Sequence, residues 1–181
     1  MSIKDAILAA VQAEPNQTLP GRTLLQKKLY FTSLLVDEDF GYRPHYYGPY
    51  SSIVSDELGA LVDGGALEET TDFFEGDVGS LFERRRYVYC LRPMAKRLLL
   101  VRDKEVAGYS AVIKQINDHL VASDYNVLSI AAKVHFIVAL KGRAAVNDIV
   151  REASSLGWNV SEVQISSVVD YLQQIGLVTA K

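Results

Sequence analysis

The chain has 181 residues, a formal net charge of −3 and a single cysteine. Hydrophobic residues make up 49% of it and charged residues 23%, a composition typical of globular proteins with an ample core and unlike that of disordered chains. The slight acidic excess argues against a non-specific DNA-binding protein, because such proteins obtain most of their affinity by neutralising phosphates with basic residues.

The sequence predicts neither a membrane segment nor an oxidising environment. The apolar residues 127–140 are interrupted by Ser129, Lys133 and His135, so they do not form the ~20-residue apolar run that a bilayer requires. The N-terminus lacks the charged-then-apolar pattern of a signal peptide. Cys90 has no cysteine partner, which fits a reducing compartment. We therefore expect a cytoplasmic protein without a membrane partner.

The N-terminal residues predict two helices separated by a turn. Ser2 and Asp5 have the spacing of a capping box, and the apolar residues behind them predict a helix over residues 2–13. The turn-rich residues 14–21 end this helix. The second helix is predicted over residues 22–35.

A third helix is predicted after the aromatic sequence HYYGPYS, residues 45–51. Pro49 suits the first position of a helix because its φ is fixed and it has no N–H to leave unsatisfied. The helix ends at Gly64 and Gly65. One face carries the apolar stripe Val54, Leu58, Leu61 and Val62.

A β-hairpin follows the third helix. Residues 66–74 and 81–91 are rich in β-branched and aromatic residues, and they flank a turn containing glycine and aspartate. Three helices followed by a two-stranded wing are the pattern of a winged helix, a variant of the helix-turn-helix. We therefore assign residues 1–92 to a winged-helix-like domain.

Residues 93–124 are predicted to be connecting helices, the first of which starts at Pro93. Within the segment 106–120, apolar residues recur in steps of three and four. This stripe favours a helix packed inside the chain, and the seam of a homodimer is the alternative. Its members are Val106, Tyr109, Ile113, Ile116 and Leu120.

The last segment, residues 125–181, predicts three more helices. The third of them starts with a capping box at Ser161 and Gln164, and the terminal GLVTA could form one short strand. We interpret the segment as a second winged-helix-like three-helix unit. The predicted fold is therefore mainly α with a small β-hairpin wing, in two winged-helix-like units joined by connecting helices.

The sequence contains no constellation typical of an enzyme. His45, His119 and His135 lie on three different elements, outside any metal-binding spacing, and Cys90 has no cysteine partner. On its apolar helix, His135 is interpreted as a core histidine. We expect no catalytic activity, no cofactor and no bound metal.

A nucleic acid or a protein is the expected ligand. Asp56 and Asp63 on the third helix would be repelled by phosphates, so this helix is poorly suited to the major groove. The first turn of the helix and the wing could instead hold a DNA backbone, together with a basic patch that includes Lys28. Alternatively, the wing arginines pair with Glu68, Glu69 and Asp72 across the hairpin. The candidate binding residues are Lys27, Arg43, Tyr47, Tyr50, Ser51, Arg84, Arg85 and Arg86.

The tyrosines of the HYYGPYS sequence allow several interpretations. Tyrosine combines a large apolar ring with one hydrogen-bonding group, so these side chains could seal the edge of the core. If exposed, they could form an interface hot spot or a platform on which single-stranded bases stack.

Three stretches of the first half resemble a known family. GRTLLQKKLYF (residues 21–31), FGYRPHYYGPYS (residues 40–51) and LGALVDGGALEE (residues 58–69) are similar in pattern and order to the YwgA-type family of small prokaryotic proteins. A more distant similarity is to Panacea or SocA-type antitoxin domains. The resemblance implies a winged-helix-like architecture and a regulatory or interaction role, and it supplies no catalytic residues.

Two functional hypotheses follow from the sequence. The first is a DNA-associated transcription regulator that holds the DNA backbone through its arginine-rich wing. The second is an antitoxin-like protein-interaction module that does not bind DNA. Winged helices serve both roles, so the fold alone does not decide between them.

Overall fold

The structure is a computed structural model that describes residues 2–74, 84–119 and 124–179. These residues form eight α-helices, one short 3₁₀ turn and a three-stranded antiparallel sheet, which confirms the predicted mainly α fold with a small β-hairpin. The helices are α1 (Ile3–Gln12), α2 (Arg22–Leu35), α3 (Ser52–Asp63), α4 (Pro93–Val101), α5 (Asp103–Asn117), α6 (Tyr125–Lys141), α7 (Val146–Ser155) and α8 (Glu162–Gln174). The strands are β1 (Thr18–Pro20), β2 (Leu67–Phe74) and β3 (Arg84–Leu91).

The elements from α1 to β3 follow the order of a winged helix: helix, strand, two helices and a hairpin. The capping box of α1 is confirmed, because the Ser2 hydroxyl accepts from the Asp5 amide and the Asp5 carboxylate accepts from the Ser2 amide. β3 is the central strand, paired on one side with β2 and on the other with β1. The turn predicted between the hairpin strands lies outside the described residues.

The strand β1 differs from the sequence prediction, which placed only a turn at residues 14–21. Thr18 pairs with Cys90 and Pro20 with Val88. Leu19, between them, is completely buried. A strand of three residues is too short to show an alternating pattern in the sequence. It is recognised as a strand only by its pairing with β3.

The start of α3 also differs from the prediction. The helix begins at Ser52, and Ser51 is its N-cap, with its side chain accepting from the Val54 amide. Pro49 therefore lies before the cap, not at the first helical position. The predicted stripe is confirmed at Val54, Leu58 and Leu61, which are buried.

The helix α2 lies at the centre of the molecule, in contact with α1 and α5 on one side and with α6 on the other. The apolar stripe of α5 faces inward against α1 and α2, with Val106, Tyr109, Ile113 and Ile116 all buried. The interpretation of this helix as a packed connection is confirmed. The alternative, a homodimer through residues 106–120, is wrong for these four residues because the chain itself covers them; Leu120 lies outside the described residues.

The C-terminal helices pack on one another, with α6 in contact with both α7 and α8. Gln164 completes the predicted capping box of α8. The strand predicted near residue 178 is not formed in the described residues 176–179, where the chain turns back so that Leu177 N–H donates to Leu172 O. None of the helices described here is long and apolar enough to cross a membrane.

Candidate functional site

The aromatic loop, residues 45–51, is the last part of the connection between α2 and α3, and it carries the two most exposed tyrosine rings of the described residues. Tyr46 is 71% exposed and Tyr47 is 65% exposed. Their ring centroids are 4.8 Å apart and the rings are nearly perpendicular. The predicted use of these tyrosines to seal the core is therefore wrong for this pair, which faces solvent.

Backbone hydrogen bonds hold the ends of the aromatic loop together. The Arg43 and Tyr50 main chains each donate to the carbonyl oxygen of the other, at 2.9 and 3.0 Å. The His45 carbonyl accepts from the Gly48 amide at 2.9 Å and from the Trp158 indole at 2.7 Å. The last bond ties the loop to the segment between α7 and α8, so the two halves of the chain fix it jointly.

Gly48 brings the loop close to α6. Its φ of +102° is in the region that favours glycine. A Cβ at this position would stand 3.1 Å from Lys133 Cγ and 3.5 Å from Lys27 Nζ. The loop therefore rests directly on two lysine side chains, and a larger residue at position 48 would have to push it away from them.

Ser51 is completely buried, and its polar groups are engaged within the chain. Its amide donates to Gln26 Oε1 at 3.0 Å, and its carbonyl accepts from Gln26 Nε2 at 2.9 Å. Its hydroxyl donates to the Phe40 carbonyl and accepts from the Val54 amide. The predicted phosphate contact through Ser51 is not supported by this position, because the residue serves as a helix cap and an anchor of the loop.

Lys27 lies beneath the aromatic loop, only 2% exposed, and not on the basic surface patch that the sequence predicted. Its Nζ donates to the Pro49 carbonyl at 2.6 Å. Burial, and then the nearby charge of Lys133, lower the pKa of Lys27 to about 8. The prediction of a basic surface patch is also wrong for Lys28, which is equally buried. The two lysines are covered from different sides of α2: Lys28 bonds Glu14 and Asn117, whereas Lys27 lies under the aromatic loop.

One of the three wing arginines forms an ion pair in the described part of the structure. Arg86 Nη2 lies 2.6 Å from Asp72 Oδ2, on the neighbouring strand. The backbones of Arg84 and Arg85 pair with Phe74 and Phe73. For Arg86, the prediction of pairing across the hairpin is confirmed; for the side chains of Arg84 and Arg85, it stays a prediction.

A polar cluster joins α2 to the sheet. Arg22 donates from Nε to the Tyr89 hydroxyl at 2.7 Å and from Nη2 to Glu69 Oε2 at 2.9 Å. The Tyr89 hydroxyl also donates to Glu69 Oε2, at 2.6 Å. Although partial burial acts in the opposite direction, these hydrogen bonds lower the pKa of Glu69. Glu69, predicted from sequence to pair with a wing arginine, thus forms its ion pair with Arg22 of α2.

The site residues predicted from sequence are only partly brought together. Tyr47 and Tyr50 belong to the aromatic loop, and Arg43 pairs with Tyr50 at its base. The Tyr50 ring lies 5.0 Å from that of His45. Lys133 and Trp158 support the loop from the C-terminal half, and neither is among the site residues that the sequence predicts. The one available signal was that Trp158 is the only tryptophan.

The described residues contain no cluster of three or more histidine, cysteine, aspartate or glutamate side chains suited to a metal. His135 is buried, and its Nδ1 lies 2.8 Å from the Tyr30 hydroxyl. Burial lowers its pKa to about 4. The interpretation of His135 as a core histidine is confirmed.

A groove of about 510 Å³ lies where the end of α2 approaches α6. Tyr30 and Phe136 are among the apolar residues that line it, and Glu38 and Asp39 lie at its edge. Glu38 accepts from the Tyr109 hydroxyl, and Asp39 accepts from the Gly41 amide. These carboxylates therefore brace the start of the loop that follows α2.

Comparison of the sequence with protein-family models and with curated proteins finds no match. The resemblance to the YwgA-type family and to antitoxin domains therefore stays a prediction. The aromatic loop, with two exposed tyrosines on a braced backbone, is the candidate functional site.

Proposed function

We propose that the protein is a non-enzymatic interaction module whose aromatic loop binds a protein partner. The observation that carries this proposal is the exposure of Tyr46 and Tyr47 on a backbone held by Trp158, Gly48 and the Arg43–Tyr50 bridge. Exposed large apolar groups of this kind are typical of interaction surfaces. The antitoxin-like resemblance and the cytoplasmic location predicted from sequence are consistent with this function.

The rigid support of the loop favours binding in energetic terms. Tyrosine is enriched at interface hot spots, because it buries a large area and loses few rotamers on binding. A loop that is already held in one conformation avoids part of the ordering cost that a flexible segment pays on association. The bonds from Trp158 and from Arg43 are therefore expected to raise the affinity for a partner.

DNA binding through the wing is the second candidate function. It is favoured by the position of Arg84, Arg85 and Arg86 in the hairpin of a winged-helix order of elements. The burial of Lys27 and Lys28 disfavours it, because these lysines are not available to phosphates. We therefore rank it below the protein-interaction function.

The test is a pull-down from the native host in which both protein and nucleic acid are quantified. The wild type is compared with the double variant Tyr46→Ala/Tyr47→Ala and with the matched control Tyr125→Ala, an exposed tyrosine at the start of α6. We expect a protein that the wild type and the control retain and the double variant loses. Equal retention by all three variants would contradict the proposed site.

A mobility assay at several salt concentrations tests the second candidate. If the wing binds DNA, Arg84→Ala/Arg86→Ala should weaken binding to all sequences, and each lost contact should reduce the slope against salt by about one unit. If no duplex or single strand is retained by the wild type at low salt, DNA binding is excluded and the protein-interaction function stands alone.

A further inference from the structure

The groove between the ends of α2 and α6, which we call the acidic groove, combines aromatic rings with carboxylates. Its volume of about 510 Å³ is within the range of small-molecule binding sites. Three of the described residues that line it are acidic, and none is basic. The rings belong to Tyr30, Tyr42 and Phe136, and the carboxylates to Asp37, Glu38 and Asp39.

The negative charge of this groove has no counter-ion in the described part of the chain. Asp37 is exposed, and its carboxylate has no hydrogen bond or ion pair with the described residues. Glu38 and Asp39 accept hydrogen bonds from a tyrosine hydroxyl and a main-chain amide, which are both neutral. Lys141, the basic residue at the end of α6, pairs instead with Glu152 of α7. The three carboxylates are therefore available to a cation from outside the chain.

Two helices end at the acidic groove and make it more negative. α2 and α6 run in the same direction there, because the Tyr30 hydroxyl lies 2.8 Å from His135 Nδ1 and, about one turn further along each helix, Leu34 and Leu140 both line the groove. The C-terminal end of a helix carries a partial negative charge, so the acidic residues 37–39 stand in an unfavourable position after α2. Natural sequences depart from such local preferences mainly at functional sites. A bound cation would relieve this repulsion.

The acidic groove suits an organic cation better than a metal ion. A metal requires ligands that converge on one point, and the described residues contain no group of three or more histidine, cysteine or acidic side chains that does so. A protonated amine demands less, because carboxylates and the faces of aromatic rings both attract its charge. The Tyr30 and Tyr42 rings meet at an angle of 76°, with centroids 5.1 Å apart, and form a corner of the groove lining.

We propose that the acidic groove binds a small organic cation, namely a protonated amine attached to an aromatic or aliphatic body. The ammonium pairs with the carboxylates of residues 37–39, and the apolar body packs against the aromatic and aliphatic lining. No residue of the aromatic loop lines this groove, so the site is additional to the one proposed for a protein partner. The competing occupant is a lysine-bearing segment of another protein, which has the same charge on a longer chain.

A matched series of ligands tests the charge and the apolar body separately. Phenethylamine, 2-phenylethanol and 3-phenylpropanoate share a phenyl ring and an ethylene chain, but at neutral pH they are positive, neutral and negative. In titrations followed by ¹H–¹⁵N NMR, phenethylamine should shift the amides of residues 30–42 and 136–140 saturably, with a dissociation constant of about 1 mM or tighter. The alcohol should bind about fivefold more weakly, and the acid should not bind.

Asp37→Asn removes one charge of the groove without a change of shape. Asp37 has a φ of +56°, and asparagine adopts this region at least as readily as aspartate, so the backbone should be unaffected. The affinity for phenethylamine should fall by about two- to fivefold. The matched control is Asp63→Asn, which removes an exposed carboxylate at the end of α3 that does not line the groove. This control should bind like the wild type.

Ala139→Lys provides a cation from the chain itself. Ala139 lines the groove and is exposed in the last turn of α6, so a longer side chain has room there. Its ammonium should pair with the carboxylates, and phenethylamine binding should be lost. The Tm of this variant should exceed that of Ala139→Gln, whose side chain is uncharged, because a cation near the C-terminal end of a helix is stabilising.

Three results would overturn the proposal. The first is the absence of a saturable shift with phenethylamine up to about ten times the expected dissociation constant. The second is an affinity that is equal for the three ligands, or that is unchanged in Asp37→Asn and Ala139→Lys. The third is saturable binding of the peptide acetyl-Leu-Lys-Leu-Lys-Leu-amide at the same amides without binding of phenethylamine, which would assign the groove to a protein segment. Tyr46→Ala/Tyr47→Ala should bind phenethylamine like the wild type, so the two sites are tested independently.

Discussion

The two sides of α2 bury basic groups in opposite ways. Towards α1 and α5, the Lys28 ammonium forms an ion pair with Glu14 and donates to Asn117 Oδ1 at 2.8 Å. Asn117 also donates to Glu14, so the buried charge has a carboxylate and an amide around it. This geometry satisfies the condition under which a buried ion is tolerated.

Towards the aromatic loop and α6, the buried bases have only neutral partners. Lys27 donates to the Pro49 carbonyl, and His135 is hydrogen bonded to the Tyr30 hydroxyl. Burial lowers the pKa of both bases. Lys27 and Lys28 are consecutive and equally buried, but only Lys28 has a counter-ion.

The largest expected effect is the loss of the counter-ion. Glu14→Gln keeps the shape of the side chain but leaves the Lys28 charge buried without a carboxylate, so the free energy of unfolding should fall by about 3–5 kcal/mol. Urea denaturation measures this change. The control is Glu57→Gln, which breaks an exposed pair with Lys4 and should cost less than about 1 kcal/mol. Equal losses of unfolding free energy in the two variants would show that burial does not make the Lys28–Glu14 pair more important than an exposed pair.

The next largest effect is a rise in stability with pH caused by Lys27. Its pKa is about 8 in the folded chain and about 10.4 when unfolded, so between these values the unfolded state binds the extra proton. Stability should therefore increase from pH 8 upwards, by about 2 kcal/mol at pH 9.5. In Lys27→Met this increase should be absent. Measurements stop at pH 9.5 because tyrosines, which ionise more readily in the unfolded chain, reverse the trend at higher pH.

His135 should produce an effect of comparable size at acid pH. The folded-state pKa of about 4 lies below the ordinary 6.5, so the unfolded state takes up the proton first as the pH falls. Stability should therefore decrease between pH 6.5 and 4, by up to about 3 kcal/mol. His135→Gln keeps an acceptor for Tyr30 and does not titrate, so its stability should decline less over this range. Parallel pH profiles for the two proteins would refute the assignment.

The smallest effect on stability is expected at the wing, because the ion pair there is exposed to solvent. Asp72→Asn removes the carboxylate that pairs with Arg86, and should lower the free energy of unfolding by about 0.2–1 kcal/mol. High salt should reduce the difference from the wild type, because exposed charges are screened. A loss as large as that of Glu14→Gln would show that the wing is more important for stability than its exposure indicates.

Much of the fold is predictable from the sequence because helices carry local signals. The bounds of α2 and the capping boxes at Ser2 and Ser161 follow from spacing and residue type alone. β1 does not, because it is defined by pairing with β3, where Thr18 meets Cys90 far along the chain. The start of α3 is set by a local bond, from the Val54 amide to the Ser51 hydroxyl, and Ser51 is a better cap signal than the Pro49 on which the prediction relied.

The candidate site is less predictable than the fold. The cluster of tyrosines is visible in the sequence, but their exposure depends on Gly48, Lys133 and Trp158, which hold the loop from distant elements. The burial of Lys27 could not be inferred either, since lysine is usually exposed. The basic patch is predicted from the charges in the sequence alone. Whether a lysine of α2 reaches the surface depends on what packs against the helix at that position.

The acidic residues of β2 have a consequence beyond their ion pairs. With β3 at the centre, β2 is one edge of the sheet, and in the described residues no strand pairs with its outer side. Exposed edges of this kind favour aggregation through strand pairing, and charged side chains oppose it. Glu68, Glu69 and Asp72 give the edge three acidic side chains within five residues. At the opposite edge, strand pairing with another chain is opposed by the short length of β1 and by Pro20, its last residue.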